Sequence, residues 1–305
     1  MSDIADRSHI DTEKRNPRSM RLHAMSAEEC VQLINREDRD VQRALKRAAP
    51  RITRFIQAAE PGFLAGGRLV YVGAGTSGRL GVLDASEAPP TFQVPPDRII
   101  GLIAGGDGAL RKSSEGAEDD PAGAHAALEA LNLTSHDTVI AIAAGGTTPY
   151  ALGALDFCKA DTRPPASRPL TALLCCTTVT QPQTCDHLIV LKTGPEVLTG
   201  STRMKAGSAT KMALNTISTT LMVRSGRVYQ NLMVDLRATN SKLRDRAARI
   251  VASITSLPRE AAFELLDAAD GEVKTAAVMH AKSLDAPAAR AALAAAQGRL
   301  DRVLE

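Results

Sequence analysis

Short apolar runs and longer helix-like segments alternate along the middle of the chain. The apolar runs occupy residues 69–72, 99–103, 139–142, 170–174 and 188–191. Each run is apolar on both faces and is followed by glycine and a helix-like segment, which is typical of buried parallel strands connected by helices. We therefore predict an α/β fold in which a parallel sheet of about five strands is flanked by helices on both sides.

Helical patterns precede and follow this region. Ser26 and Glu29 form a capping box, and apolar residues then recur near a 3.6-residue period as far as about Ala65. Further helices are predicted between Ser201 and Gly226 and over residues 235–256, 259–268, 272–283 and 287–304.

The pattern divides the chain into four regions. We expect an N-terminal arm and helical lead-in over residues 1–60 and a sheet domain over 61–225. A connecting helix over 226–256 and a three-helix subdomain over 257–305 follow. Residues 1–24 contain too little apolar material to pack alone, so a partner subunit is one way to order them.

Composition and charge narrow the classes of function. Aromatic residues make up 3% of the chain, Trp is absent, and 37 basic against 34 acidic residues leave a net charge of +3, which argues against nucleic acid as a partner. No apolar run reaches the roughly 18 residues of a membrane span, and the N-terminus lacks the apolar stretch of a signal peptide. Five cysteines without a CxxC pair predict reduced, buried thiols and a cytoplasmic protein, and the histidines lack metal spacing.

A glycine-rich turn, GAGTSGR over residues 73–79, follows the first predicted strand and opens a helix. Free backbone amides and the helix dipole favour an anion there, so Gly75, Thr76 and Ser77 are candidate phosphate ligands. The turn fails the dinucleotide fingerprint because no acidic residue closes a second strand. The alternative is a plain connection in which Ser77 acts as an N-cap.

Glu87 is a candidate acid or base at the far end of the same helix. It lies in ASEAPP, where Pro89 and Pro90 are expected to end the helix. About ten residues of helix separate Glu87 from the phosphate-binding end by roughly 15 Å. We therefore expect either that the chain folds back to the pocket or that Glu87 serves a neighbouring subunit. A solvated acid at a helix end is the alternative.

A second acidic group, SSEGAEDD over residues 113–120, is expected to open a helix that Ser113 or Ser114 caps. Acids in a first helical turn complement the dipole without any catalytic role. That explanation suits Glu115, Asp119 and Asp120, and leaves room for one catalytic member of the group.

Four stretches closely resemble the N-acetylmuramic acid 6-phosphate etherase family: VGAGTSGRLGVLDASEAPPTF (72–92), LIAGGDGAL (102–110), EGAEDD (115–120) and a long motif beginning EVLTGSTRMKAGSATKM (196–235). The resemblance implies a sugar isomerase (SIS) domain, a homodimer, an amino-sugar phosphate substrate and no metal or organic cofactor. It implies cleavage of a D-lactyl ether, with Glu87 and Glu118 matching the two catalytic glutamates.

The resemblance also implies two further binding segments. Ser201, Thr202, Arg203 and Lys205 match a loop at the sugar pocket. After the third predicted strand, where the family usually has SGRTPY, the chain has Gly145, Gly146, Thr147 and Thr148 before Pro-Tyr. A hydroxyl and a guanidinium are missing, so we expect backbone amides and the Thr148 hydroxyl to hold phosphate with altered affinity.

The sequence is also compatible with two other functions. An aldose-ketose isomerase of the same fold would also use a carboxylate at C2 but would need no acid at C3. A non-catalytic sugar-phosphate sensor is the second, because the glucokinase regulatory protein resembles this family. Retention of both Glu87 and Glu118 argues against the sensor.

Overall fold

The computed structural model describes residues 6–112, 114–160, 162–236 and 241–305. The chain forms two compact units. The first comprises Met1–Ser86 and Asp97–Ser218, and the second comprises Glu87–Pro96 and Thr219–Glu305.

A five-stranded parallel sheet forms the core of the first unit and confirms the predicted α/β fold. Its strands run in the order β2-β1-β3-β4-β5, and every neighbouring pair is parallel. The strands are β1 (Leu69–Gly73), β2 (Ile99–Ile103), β3 (Thr138–Ile142), β4 (Leu170–Cys175) and β5 (His187–Val190).

Helices precede the sheet, connect its strands and follow the last of them. They are α1 (Ala27–Glu37), α2 (Arg39–Leu64), α3 (Gly75–Phe92), α4 (His125–Ala130), α5 (Pro149–Lys159) and α6 (Lys205–Arg224). The predicted capping box is present, since Ser26 Oγ accepts the Glu29 N–H and Glu29 accepts the Ser26 N–H. Among the described residues, none of the helices is long and apolar enough to cross a membrane.

Both faces of the sheet are buried, as the apolar strands predict. Val70 and Val72 pack with residues of α4 and α5 on one face. On the other face, Tyr71 contacts Gly81 of α3 and donates its hydroxyl to Asp84 at 2.8 Å. Asn215 of α6 also donates to Asp84, at 2.6 Å. This buried polar cluster fixes α3 and α6 against the sheet.

The strand order creates a crevice at one edge of the sheet. From β1 the chain moves outward to β2, then returns to the other side of β1 as β3. The connections after β1 and β3 therefore diverge, and the carboxyl ends of these strands flank an opening. Ligands of open α/β sheets bind at such switch points.

The second unit contains a short antiparallel pair and a group of helices. The pair is β6 (Val228–Tyr229) with β7 (Leu232–Met233). The helices are α7 (Ser241–Thr255), α8 (Arg259–Ala268), α9 (Val273–Lys282), α10 (Ala286–Ala295) and α11 (Asp301–Leu304). Their core is rich in alanine, including Ala247, Ala262, Ala276 and Ala289.

Two predicted helix boundaries are wrong. The helix predicted over 287–304 is divided into α10 and α11, because Gln297 and Gly298 adopt left-handed φ values of 57° and 72°. Pro89 and Pro90 do not end α3, which continues to Phe92. Proline is compatible with helical φ, and the Pro89 carbonyl still accepts the Gln93 N–H at 3.0 Å. The start of the helix predicted from 235 falls partly on 237–240, outside the described residues.

The cysteines match the predicted buried thiols. All five are free; Cys158, Cys175, Cys176 and Cys185 are buried, while Cys30 is half-buried. Burial raises the pKa of Cys176 to about 12, so this thiol stays protonated at neutral pH.

Candidate active site

A polar cavity of about 240 Å³ opens at the carboxyl ends of β1 and β3. Of the predicted site residues, it is lined by Gly75, Thr76, Ser77, Glu118, Gly145, Thr147, Thr148 and Thr202. Other lining residues are Arg7, Ile10, Glu13, Ala74, Asp119, Ala144 and Pro149. The switch point of the sheet thus brings together segments that are far apart in the sequence.

The glycine-rich turn forms the β1 side of the cavity. Gly75 adopts a φ of 51° where α3 begins, and the Gly78 N–H donates to the Ala74 carbonyl at 3.1 Å. A Cβ on Gly78 would lie 2.5 Å from the Gly73 carbonyl oxygen, so only glycine fits this tight turn. The amides before Gly78 belong to the first turn of α3, where N–H groups have no intrahelical partner and attract anions.

The β3 side combines hydroxyl groups with the start of α5. Thr148 is the N-cap of α5, yet its side chain makes no capping hydrogen bond. The Thr147 and Thr148 hydroxyls can therefore donate to a ligand while the α5 dipole adds positive potential. Gly146 does not line the cavity; it adopts a φ of 70°, and a Cβ there would meet Val179 at 2.6 Å. Its contribution is to the shape of the loop.

Glu118 enters the cavity from a turn rather than from a helix. The predicted helix opening at residue 113 is wrong, because Glu115–Ala117 forms one 3-10 turn and α4 begins only at His125. Gly116, Pro121 and Gly123 interrupt the segment, and these residue types disfavour helix. Ser113, one candidate cap, lies outside the described residues. The Tyr150 N–H donates to the Glu118 carbonyl at 3.0 Å and fixes half-buried Glu118 beside α5.

Glu87 is absent from the described lining of this cavity. It lies on α3, and the boundary between the two units falls at this residue. Because α3 is helical from Gly75 to Phe92, the chain does not fold back before Glu87. Ten residues after Ser77, the helical rise amounts to about 15 Å. Glu87 is exposed, which fits both the solvated acid at a helix end and a residue that serves a neighbouring subunit. The second of these explanations is taken up in the proposal below.

The second loop contributes one residue to the cavity, Thr202, whereas Ser201 and Arg203 do not line it. The start of α6 is occupied by a carboxylate of the protein itself. Glu196 accepts the Lys205 N–H at 3.0 Å and the Ala206 N–H at 2.9 Å. Glu196 therefore already satisfies these first amides of α6 from within the protein.

Lys205 lies in a buried ion pair, so the expectation that its ammonium faces the phosphate is not supported. Its Nζ lies 3.0 Å from Glu37 Oε2 and 3.7 Å from Asp40 Oδ2. The side chains of Lys205 and Glu37 are each 1% exposed. Glu37 also accepts hydrogen bonds from Arg18 and Asn16 of the N-terminal arm. The network joins the arm, the α1–α2 junction and the start of α6.

The buried ion-pair network around Glu37 predicts that the fold becomes less stable at low pH. The Arg18 guanidinium, with Asn16 and Lys205, lowers the pKa of Glu37 from 4.5 to about 2. A lowered pKa stabilises the fold above the unfolded-state value, and the contribution is lost as pH falls from about 4.5 to about 2. The full contribution is about 3 kcal/mol. Urea unfolding from pH 7 to pH 2.5 should show a smaller loss for Glu37→Gln than for the unmodified chain; equal slopes would contradict the assignment.

The N-terminal arm completes the cavity, which the sequence did not predict. Ile10 is buried and lies beside Gly145, where a Cβ would be 3.9 Å from Ile10 Cγ2. The Asp11 N–H donates to Thr177 Oγ1 at 3.2 Å. A Cβ on Gly200 would lie 3.4 Å from Glu13 Oε2. The described part of the arm is therefore held by its own chain, and a lone buried apolar residue such as Ile10 gives too weak a sequence pattern to detect.

The fold and the comparisons agree on the class of protein. A family model described as the glucokinase regulatory protein N-terminal SIS domain matches residues 49–159. These residues include β1 to β3, the glycine-rich turn, Glu118 and all of α5. The protein is therefore a SIS-type α/β protein.

Similarity over nearly the whole chain identifies the family within this class of protein. The chain is 48% identical to N-acetylmuramic acid 6-phosphate etherase of Gloeobacter violaceus, covering 99% of this chain and 97% of the relative. It is 44% identical to N-acetylmuramic acid 6-phosphate etherase 1 of Bacillus licheniformis, with 97% and 95% covered. The Salmonella typhi etherase is 48% identical, with 96% and 97% covered. The chain belongs to the N-acetylmuramic acid 6-phosphate etherase family.

Proposed function

We propose that this chain is a carbon–oxygen lyase that cleaves the D-lactyl ether of N-acetylmuramic acid 6-phosphate. The products are N-acetylglucosamine 6-phosphate and D-lactate, as in recycling of cell-wall amino sugars. One observation carries the proposal: a single cavity combines two helix N-termini with the carboxylate of Glu118. Family membership identifies the ether as the bond to be broken.

The phosphate binds between the glycine-rich turn and the β3–α5 loop. The first turn of α3 and the hydroxyl-bearing residues Thr76, Ser77, Thr147 and Thr148 line this part of the cavity. Helix N-termini bind phosphate through free N–H groups and the dipole, without requiring a cation. This explains how the chain functions without an arginine at position 147.

The chemistry is an elimination followed by hydration. Ring opening produces a C1 aldehyde that acidifies the C2 proton, and a carboxylate removes this proton. The electron pair forms the C2=C3 bond as the C3–O bond breaks, and the departing lactate oxygen takes a proton from an acid. Water then adds its oxygen to C3 and a proton to C2. We assign the elimination to Glu87 and activation of the water to Glu118.

We further propose that the protein is a cytoplasmic homodimer in which Glu87 serves the partner's cavity. The separation along α3 supports this, because roughly 15 Å exceeds the reach of a hexose phosphate. The free cysteines suit a reducing compartment.

Mixed dimers test the sharing of residues between subunits. When Glu87→Gln and Glu118→Gln chains are co-expressed, half of the randomly formed dimers are mixed and contain one intact site. Activity should return to about a quarter of the wild-type value in this symmetric arrangement. The activity measured is formation of N-acetylglucosamine 6-phosphate, and each variant expressed alone is the control that should form almost none. Failure to recover activity in a verified mixed dimer would place both glutamates in one subunit.

Products distinguish the proposed function from its alternatives. Purified protein incubated with N-acetylmuramic acid 6-phosphate should release equal amounts of D-lactate and N-acetylglucosamine 6-phosphate. An isomerase would convert an aldose phosphate to a ketose phosphate without releasing lactate. A sensor would bind sugar phosphate with no turnover. Either result would refute the etherase assignment.

A further inference from the structure

We propose that Arg7 of the N-terminal arm binds the lactyl carboxylate and thereby selects the substrate that bears it. This inference rests on the proposed function and adds a specificity residue to it. Arg7 is the only cationic side chain among the described residues that line the cavity.

The charges around the cavity indicate which group of the substrate Arg7 binds. Glu13, Glu118 and Asp119 line the same space, so the other charged side chains of its lining are acidic. The substrate brings two anions, a phosphate and a carboxylate. The phosphate has the start of α3, the dipole of α5 and four hydroxyl groups. The carboxylate, placed among acids, requires a cation, because like charges nearby would repel it.

Arg7 is suited to this role by position and by its available donors. Within the described ranges, its guanidinium makes no hydrogen bond or ion pair with the protein, whereas Arg18 on the same arm is paired with Glu37. A guanidinium binds a carboxylate through two parallel N–H donors. The Ile10 N–H donates to the Arg7 carbonyl at 3.0 Å, and Ile10 is packed beside Gly145. The arm thus holds Arg7 at the wall of the cavity.

Comparison of two ligands tests this assignment. N-acetylglucosamine 6-phosphate has the phosphate but lacks the lactyl group. Arg7→Ala should raise KM for N-acetylmuramic acid 6-phosphate about tenfold while changing the calorimetric Kd for N-acetylglucosamine 6-phosphate less than about twofold. Arg7→Lys should restore part of the loss, because an ammonium pairs with a carboxylate at one point only. Arg21→Ala removes an exposed arginine that does not line the cavity and should behave as wild type.

Other outcomes overturn the assignment. Equal weakening of both ligands would place the guanidinium on the phosphate, and no change in either would remove Arg7 from the site. Should the unmodified chain release no D-lactate, the etherase proposal fails. Even then, calorimetric binding of intact N-acetylmuramic acid 6-phosphate, compared between the wild type and Arg7→Ala, still reports whether Arg7 contacts the carboxylate.

Discussion

Glu118→Gln should lower the rate of N-acetylglucosamine 6-phosphate formation by about 10²- to 10⁴-fold, the usual contribution of a general acid or base. The amide has the shape of the carboxylate but cannot accept the proton of the attacking water. Phosphate binding depends on other groups, so the Kd for N-acetylglucosamine 6-phosphate should stay within about twofold. The proposed mechanism assigns the elimination to Glu87, so exchange of the C2 proton with deuterated solvent should persist in this variant.

Asp120→Asn is a matched control for that experiment. Asp120 lies two residues further along the same acidic segment and does not line the cavity. Its side chain accepts the Ala122 N–H at 2.9 Å, which an asparagine oxygen also accepts. Near-normal turnover is expected. Loss of activity in Asp120→Asn equal to that in Glu118→Gln would indicate damage to the turn, and full activity in Glu118→Gln would exclude its catalytic role.

Lys205→Met should destabilise the fold by about 3 kcal/mol, because removing one partner leaves a buried charge without full compensation. Glu37 is 1% exposed and would keep only Arg18 and Asn16 as partners. Urea unfolding followed by circular dichroism measures the change. The affinity for N-acetylglucosamine 6-phosphate should fall no more than about twofold, because the ammonium is turned toward Glu37 rather than the ligand.

The double variant Lys205→Met/Glu37→Gln tests whether Lys205 stabilises the fold through its buried ion pair or binds the phosphate of the ligand. Removing both charges together should recover part of the lost stability, as expected when the cost comes from an unpaired buried carboxylate. If Lys205→Met alone kept wild-type stability but bound N-acetylglucosamine 6-phosphate more weakly, Lys205 would contact the substrate.

The sheet was predictable because its strands are apolar on both faces. Runs such as 139–142 differ in composition from everything around them, and the observed strand Thr138–Ile142 begins only one residue earlier. The end of α3 was not predictable from local rules. Pro89 and Pro90 are expected to stop a helix, but their φ is helical and the Pro89 carbonyl remains an acceptor.

The candidate site was predictable where a single loop contains both the functional side chains and the residues that shape its backbone. The glycine-rich turn and Glu118 were found in this way, and both line the cavity. Arg7 and Glu13 were not found, since their place depends on how the arm packs against Gly145 and Gly200. Lys205 shows what a motif leaves out: its place in a family motif suggested phosphate binding, while only the fold shows the ion pair with Glu37.

The central claim, an elimination followed by hydration in this cavity, is tested most directly by isotopes. N-acetylmuramic acid 6-phosphate is incubated with the protein in deuterated, ¹⁸O-labelled water, and both products are examined by NMR and mass spectrometry. The mechanism predicts deuterium at C2, ¹⁸O at C3 of the amino sugar, and D-lactate that keeps the original ether oxygen. Product without deuterium at C2, or ¹⁸O in the lactate hydroxyl, would contradict it.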